Sequence, residues 1–260
     1  PDLDTVTYGL AGLLDEEKGW GIRGDTFHFL GQLGRYGLEI WFHLGDRDLA
    51  THVLRTNLLK SGLPLSQITD DICKGLGVKV KIIPASDTHV ETRIITERGE
   101  MHLQEFWVKR RGADRVRGVR FQGVEEAKPA PGVIDALLNA RTIILCPANP
   151  ITSISPIVAI PHIRDAVKKA SGQVIAVSPI VGKTPISGPA GKLMAGLGIE
   201  VSAVGVAKLY SEFLDVMVID LRDADLRKRI KKMGVRVHAT RIHMKSRVDE
   251  DRLARLLLTL

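Results

Sequence analysis

"QVIAVSPIVGKTPISGPAGKLMAGLG", residues 173–198, holds the pattern that decides the fold. It opens on a short apolar run that reads as a strand and closes on "PAGKLMAGLG", which reads as a helix. Between them lies a loop rich in Gly, Pro, Ser and Thr with two lysines, Lys183 and Lys192. The loop resembles a P-loop without completing one. A P-loop needs Gly, four residues, then Gly-Lys-Ser/Thr, so that backbone amides wrap a phosphate and a hydroxyl meets magnesium. Gly182-Lys183-Thr184 supplies the ending, but the first glycine falls on Val177. Gly191-Lys192 comes second, with Ile186 in the glycine position and Leu193 in place of the hydroxyl. If a phosphate is held here, the geometry is a different one.

The same alternation continues on both sides. Downstream come a helix "VSAVGVAKLYSEF", a strand "LDVMVIDL", a helix "DLRKRIKKMG", a strand "VRVHAT" and a helix "DEDRLARLLLTL". Upstream, "TIILCPA" reads as a strand and "IPHIRDAVKKAS" as a helix with Pro161 at its start. Strands and helices in alternation imply right-handed crossovers and a parallel sheet covered on both faces, an α/β fold. Residues 16–77 have helical periodicity instead. Asp25 is placed to cap "TFHFLGQLGRYG", Asp48 stands ahead of "LATHVLRTNLLKSG", and "SQITDDICKGLG" ends at Gly75 or Gly77. From 78 to 124 the pattern is strand-like, in "VKVKIIPAS", "VETRIITE", "MHLQEFWVKRR" and "VRGVRFQGV", with a hairpin at 97–100. The division expected is a nucleotide-binding core of 1–15 and 78–260 interrupted by a helical subdomain, 16–77.

Ligands of open α/β sheets bind at the carboxyl ends of strands. Two loops qualify: "CPANPITSISP" after 142–146 and "SPIVGKTPISGPAGK" after 173–177. Each leads towards a helix, whose first amides favour an anion. Acidic residues gather elsewhere. "HLGDRDLATH", residues 43–52, sets Asp46, Arg47 and Asp48 at a helix entrance beside His43 and His52. The two histidines are too far apart for a helical zinc pair. In "PDLDT", Asp2 and Asp4 on an extended backbone share one face. Two such carboxylates suit a hard cation or the removal of a proton from a hydroxyl.

The net charge of +7 favours anionic partners. The basic run "KRRGADRVRGVR", 109–120, is read as a solvated hairpin face, and "RKRIKK", 227–232, as an exposed helix. A nucleic-acid-binding role would use that charge, but aromatic residues make up only 5% of the chain, which leaves bases little to stack on. Cys73 and Cys146 are the only cysteines and have no metal-like spacing, which suits a reducing cytoplasm. No apolar run reaches the length of a membrane span, and the polar opening is unlike a signal peptide.

"PDLDTV", "GWGI" with "DTF", "LGDRDLATH", "FWVKRRG" with "VRGV", "PANPITSISPI" and "AVSPIVGKTPISGPAGKLM" together resemble the 2-phospho-L-lactate transferase family of coenzyme F-420 biosynthesis. The six blocks stand in the family's order and reach over nearly the whole chain. The resemblance implies a three-layer Rossmann-like core with a helical subdomain, a homodimer, and an additional strand with a Gly-Gly-Thr-Gly turn ahead of Pro1. It implies transfer of a phospho-acid from a guanosine diphosphate-linked donor to the deazaflavin Fo, with release of GMP and with Mg2+ between carboxylates and pyrophosphate. On it, Asp4 and His43 contact Fo, and Asp4 orients the acceptor hydroxyl or takes its proton. Asp2, Asp46 and Asp48 follow for metal or base duty, and Arg47 for pyrophosphate charge. Asn149, Thr152, Ser153, Ser178, Gly182, Lys183, Ser187, Gly188 and Lys192 surround the donor. Archaeal members often carry lysine where His43 stands. An imidazole there weakens an anion contact, which points to an enolpyruvyl rather than a lactyl donor. A regulator of the same fold that binds a nucleotide-sugar and transfers nothing is the alternative, and the acidic blocks argue against it.

Overall fold

A computed structural model describes residues 2–260. The chain forms two compact units, one running up to Thr88 and including Ala130–Val133, the other comprising His89–Pro129 and Ile134–Leu260. The boundary therefore falls after Thr88 rather than at 15 and 77.

The first unit is helical: α1 (Asp2–Leu10), α2 (His28–Arg35), α3 (Asp46–Lys60) and α4 (Leu65–Gly75). α4 buries Ile68, Thr69, Ile72 and Cys73, one stripe of its surface. Of the two glycines expected to end it, Gly75 lies within the helix. Gly77, at φ +73°, makes the turn, and the next amide, Val78 N, closes on Cys73 O at 2.9 Å. Two expectations are corrected here. "PDLDT" is not extended: residues 2–10 are helical, so Asp2 and Asp4 lie on different sides, Asp2 exposed and Asp4 buried. "VKVKIIPAS" forms no strand, and residues 78–84 run without regular structure. Its alternation is real, but no neighbouring strand completes a ladder.

The second unit holds β1 (Glu91–Thr96), β2 (Gly99–His102) and β3 (Val116–Gln122), an antiparallel sheet in the order β2-β1-β3. The hairpin expected near 97–100 joins β1 to β2. The segment 101–111 is a strand only to His102; Glu105–Lys109 coils into a wide helical turn that buries Phe106. After α5 (Val133–Asn139) come β4 (Thr142–Leu145), α6 (Ser155–Ala159), α7 (Ile163–Lys169), β5 (Gln173–Val177), the two-residue strands β6 (Ile180–Val181) and β7 (Thr184–Pro185), α8 (Ala190–Gly196) and α9 (Ala203–Tyr210). The chain ends with β8 (Val216–Asp220), α10 (Arg227–Lys231), β9 (Arg236–Thr240) and α11 (Arg247–Leu257).

β4, β5, β8 and β9 form one parallel sheet in that order. Ile175, Val177, Val216 and Val218 point to one face and bury Leu253 and Leu257 of α11. The alternate residues Val174, Ala176, Met217 and Ile219 are equally buried on the other face. Burial of both faces is why these strands read as continuous apolar runs. The expected α/β architecture is present, with the parallel sheet at the centre of the second unit. Among the described residues no helix is long and apolar enough to cross a membrane.

Candidate functional site

In the first unit, α1 and α3 bring four polar side chains and an arginine together. Asp48, His52 and Arg55 stand at i, i+4 and i+7 on one side of α3; Asp4 and Tyr8 stand at i and i+4 on α1. Arg55 grips Asp4 with both guanidinium nitrogens, one of them at 3.0 Å from Oδ2 and the other on Oδ1. The Tyr8 hydroxyl donates to Asp48 Oδ1 at 2.8 Å and lies 2.9 Å from Thr51 Oγ1. Burial, with Asp48 beside it, pushes the Tyr8 phenol well above its ordinary value, so it stays a donor. His52 Nε2 is 3.6 Å from Asp4 Oδ2 and 3.6 Å from Asp48 Oδ1. Asp4 and Asp48 are buried while the His52 side chain is 38% exposed, so the imidazole is the member that reaches solvent.

Ligand atoms of Asp4, Asp48 and His52 all lie within 4.8 Å of one another. Two carboxylates and an imidazole nitrogen suit a divalent cation. This set differs from the expected Asp2, Asp4 and Asp46. Asp2 is exposed on α1, and Asp46 is spent elsewhere. Asp46 accepts from Thr26 Oγ1, His28 N and Phe29 N, capping α2, and these donors, the Thr26 hydroxyl foremost, hold its carboxyl below the usual range. In exchange, Asp25 caps α3, accepting from Arg47 N at 3.0 Å and Asp48 N at 3.1 Å. The sequence places Asp25 as the cap of α2; in the fold the two helices trade caps. The trade requires Gly45: a Cβ there would stand 2.2 Å from Asp25 Oδ2 and 2.9 Å from its Cβ. Arg47 is exposed and donates to Gly24 O at 3.0 Å; His43 is exposed, edge-on to the Phe27 ring. Sequence reasoning passes over Tyr8, Thr51 and Arg55. Their signal is helical spacing, of Tyr8 from Asp4 on α1 and of Thr51 and Arg55 from Asp48 on α3, and an extended reading of residues 1–5 hides the first of these.

In the second unit, both expected loops leave carboxyl ends of parallel strands. After β4, Asn149 Oδ1 accepts from Ile151 N and Thr152 N at 3.0 and 3.3 Å, and Asn149 O accepts from Ser153 N and Ile154 N, winding 150–154 into a second wide helical turn. The Asn149 Nδ2 donor is buried with no partner among the described residues. Such an orphan donor is costly unless an acceptor meets it, so this loop fits a ligand oxygen.

After β5 the roles change more. Ser178 is fully buried, and its hydroxyl serves its own loop, donating to Ile180 O at 2.7 Å and accepting from Ile180 N at 3.1 Å. Gly182 N donates to both oxygens of Asp223, at 2.8 and 3.1 Å, so that amide already holds an anion. Lys192 donates its ammonium to Gly112 O. Lys183, Ser187 and Gly188 are exposed. Of the expected donor residues here, Ser178, Gly182 and Lys192 thus have polar atoms bound within the fold, although Gly182 and Lys192 are exposed, as are Lys183, Ser187 and Gly188.

Asp223 is 3% exposed, and burial pushes its carboxyl above the ordinary aspartate value. A carboxyl raised in the fold costs stability as pH climbs past its unfolded value, and costs nothing below that value. An asparagine in its place would keep an acceptor for Gly182 N without a buried charge. Asp223→Asn is therefore expected to raise the thermal midpoint at pH 7 and to leave it unchanged at the acid end, as followed by calorimetry across pH.

A parallel α/β sheet with glycine- and serine-rich loops at the carboxyl ends of its strands has the Rossmann-like arrangement, in which ligands bind at that edge. Comparison with known proteins carries this further. The chain matches the CofD family, described as 2-phospho-L-lactate transferase, over residues 1–257, and belongs to that family. It is thus a member of a transferase family. It is 45% identical to the 2-phospho-L-lactate transferase of Methanosarcina mazei over 93% of this chain and 78% of that one. It is 42% identical to the phosphoenolpyruvate transferase of Streptomyces coelicolor over 100% of this chain and 83% of that one. Among solved structures, a Bacillus halodurans protein of the UPF0052 family superposes with a TM-score of 0.59 at 15% identity, covering 97% of this chain and 81% of that one, and shows the same fold.

Proposed function

We propose that the protein transfers a phospho-acid from a guanosine diphosphate-linked donor to the terminal ribityl hydroxyl of Fo, releasing GMP, in the biosynthesis of coenzyme F-420. The hydroxyl oxygen attacks the phosphorus that bears the acid, the bond from that phosphorus to the GMP oxygen breaks, and the hydroxyl proton passes to a carboxylate. One observation supports this reading above the others: Asp4, Asp48 and His52 converge at one point of the helical unit.

In this reading Asp4 and Asp48 would hold Mg2+ through their carboxylate oxygens, with His52 beside it, and the ion would supply neutralisation of the phosphate charge that builds up in the transfer. Arg55 fixes the plane of Asp4 and Tyr8 fixes Asp48, so the two carboxylates keep their orientation before substrate arrives. Asn149 offers its orphan donor to a donor oxygen, and Lys183 supplies mobile positive charge at the second loop. The relatives named above include transferases of 2-phospho-L-lactate and of phosphoenolpyruvate, and His43 favours the latter. The protein acts as a homodimer in the cytoplasm.

The test is direct. Purified protein is incubated with Fo, Mg2+ and either the lactyl-phospho- or the enolpyruvyl-phospho-guanosine donor, and GMP is followed by chromatography. Fo-dependent GMP is expected, faster with the enolpyruvyl donor and abolished by chelation of Mg2+. Absence of GMP with both donors would sink the proposal.

A further inference from the structure

We propose that Arg111, in the turn between the wide helical turn 105–109 and β3, contacts the diphosphate of the donor. The inference rests on the donor reading above and adds to Lys183 a second cation from outside the glycine-rich loop. Lys183 and Lys192 are the residues expected to bring positive charge there, and the ammonium of Lys192 is bound to Gly112 O. The same bond ties the 110–114 turn to α8, the helix that the glycine-rich loop leads into. Close packing supports the tie: a Cβ on Gly196 of α8 would stand 2.6 Å from Val116 Cβ at the start of β3.

Arg111 itself has φ +51°, in the left-handed region, where a side chain other than Gly, Asn or Asp is uncommon and costly. Nothing in the local sequence forces an arginine into that conformation, since glycine would adopt it without cost. The surroundings hold it there. Gly112 N donates to Phe106 O at 2.8 Å, and Ala113 N to Arg110 O at 3.0 Å. Arg110 pairs with Glu105 and with the buried Asp114, each at 3.3 Å, and Arg98 closes on the other oxygen of Asp114 at 3.2 Å. Arg98, Arg110 and Lys192 are thus all engaged in fixing the turn. The Arg111 guanidinium is exposed, and among the described residues no ion pair or hydrogen bond engages it. A strained residue held by its neighbours, with its own charge uncommitted, is the arrangement expected where strain serves a ligand. Arginine matches the chemistry, because its planar fork binds phosphate oxygens in pairs. The basic run 109–120, read from sequence as a solvated face, would then contain one ligand-binding member.

Arg111→Gly gives the two roles opposite readouts: relief of strain raises the thermal midpoint, and loss of charge weakens binding. GDP serves as the probe, titrated by calorimetry into wild type, Arg111→Gly and Arg111→Lys. The glycine variant is expected to unfold roughly 2–4 °C higher and to bind GDP at least tenfold more weakly, with lysine restoring part of the affinity. Equal GDP affinity in wild type and Arg111→Gly would overturn the inference, and a lowered midpoint would overturn its strain argument. Wild type that fails to bind GDP at all would overturn the donor reading on which it rests.

Discussion

Arg55→Ala is expected to destabilise the helical unit by about 3–5 kcal/mol, the usual cost of removing one partner from a buried ion pair. Asp4 is 6% exposed, and the Arg55 side chain is 17% exposed. Both Asp4 oxygens accept from Arg55, so truncation leaves a buried carboxylate beside that of Asp48, with only His52, at 3.6 Å, left as a possible cationic partner. The charge cannot simply be rehydrated, because Asp4 lies on the inner side of α1 with Thr7 and Tyr8, both also buried. Replacing the pair together is a different matter. A double variant, Asp4→Leu with Arg55→Leu, removes both desolvation costs and should recover most of the loss. Urea denaturation of the two single variants and the double one closes the cycle. A cost below about 1 kcal/mol for Arg55→Ala would mean that the pair behaves as a solvent-screened surface bridge.

This pair also marks where the sequence could be read and where it could not. The parallel sheet was legible because burial on both faces writes itself into β4, β5, β8 and β9 as unbroken apolar runs, and because the intervening loops carry the Gly, Pro and Ser that such turns need. The two strand-end loops were legible for the same reason. Their inner chemistry was not: that Gly182 N is taken by Asp223, or Lys192 by Gly112 O, depends on contacts 41 and 80 residues apart, which no local pattern encodes. "PDLDT" misled because five residues with two aspartates fit an extended segment as well as a first helical turn, and only the helix's continuation to Leu10 settles the matter. Once α1 is helical, Asp4 and Tyr8 share a side, and the partners on α3 follow at i, i+4 and i+7. Asp25 and Asp46 show a related limit. Each has the residue type and position of a cap, and a sequence cannot tell a cap for its own helix from one exchanged with a neighbour.

Asp4→Asn is expected to lower kcat for Fo-dependent GMP release by roughly 10²–10⁴-fold, the range for loss of a positioned acid or base. The substitution keeps size and shape but removes the negative charge that would hold a cation or accept the hydroxyl proton. It also turns one acceptor oxygen into an NH2 group facing the Arg55 fork, so stability will fall as well, and rates must be compared at equal folded fraction. Asp46→Asn provides the contrast. Asp46 lies in the same sequence block as Asp48, but its oxygens are occupied by Thr26, His28 and Phe29. Its loss should therefore appear in the thermal midpoint, with kcat per folded molecule within a few-fold of wild type. Opposite behaviour, with Asp46→Asn inactive and Asp4→Asn active, would move the chemistry from the α1–α3 face to the entrance of α3. The distinction rests on where each carboxylate lies: Asp46 accepts three donors that cap α2, whereas Asp4 and Asp48, though held by Arg55 and Tyr8, also each stand 3.6 Å from the partly exposed imidazole of His52, the side from which a substrate can approach.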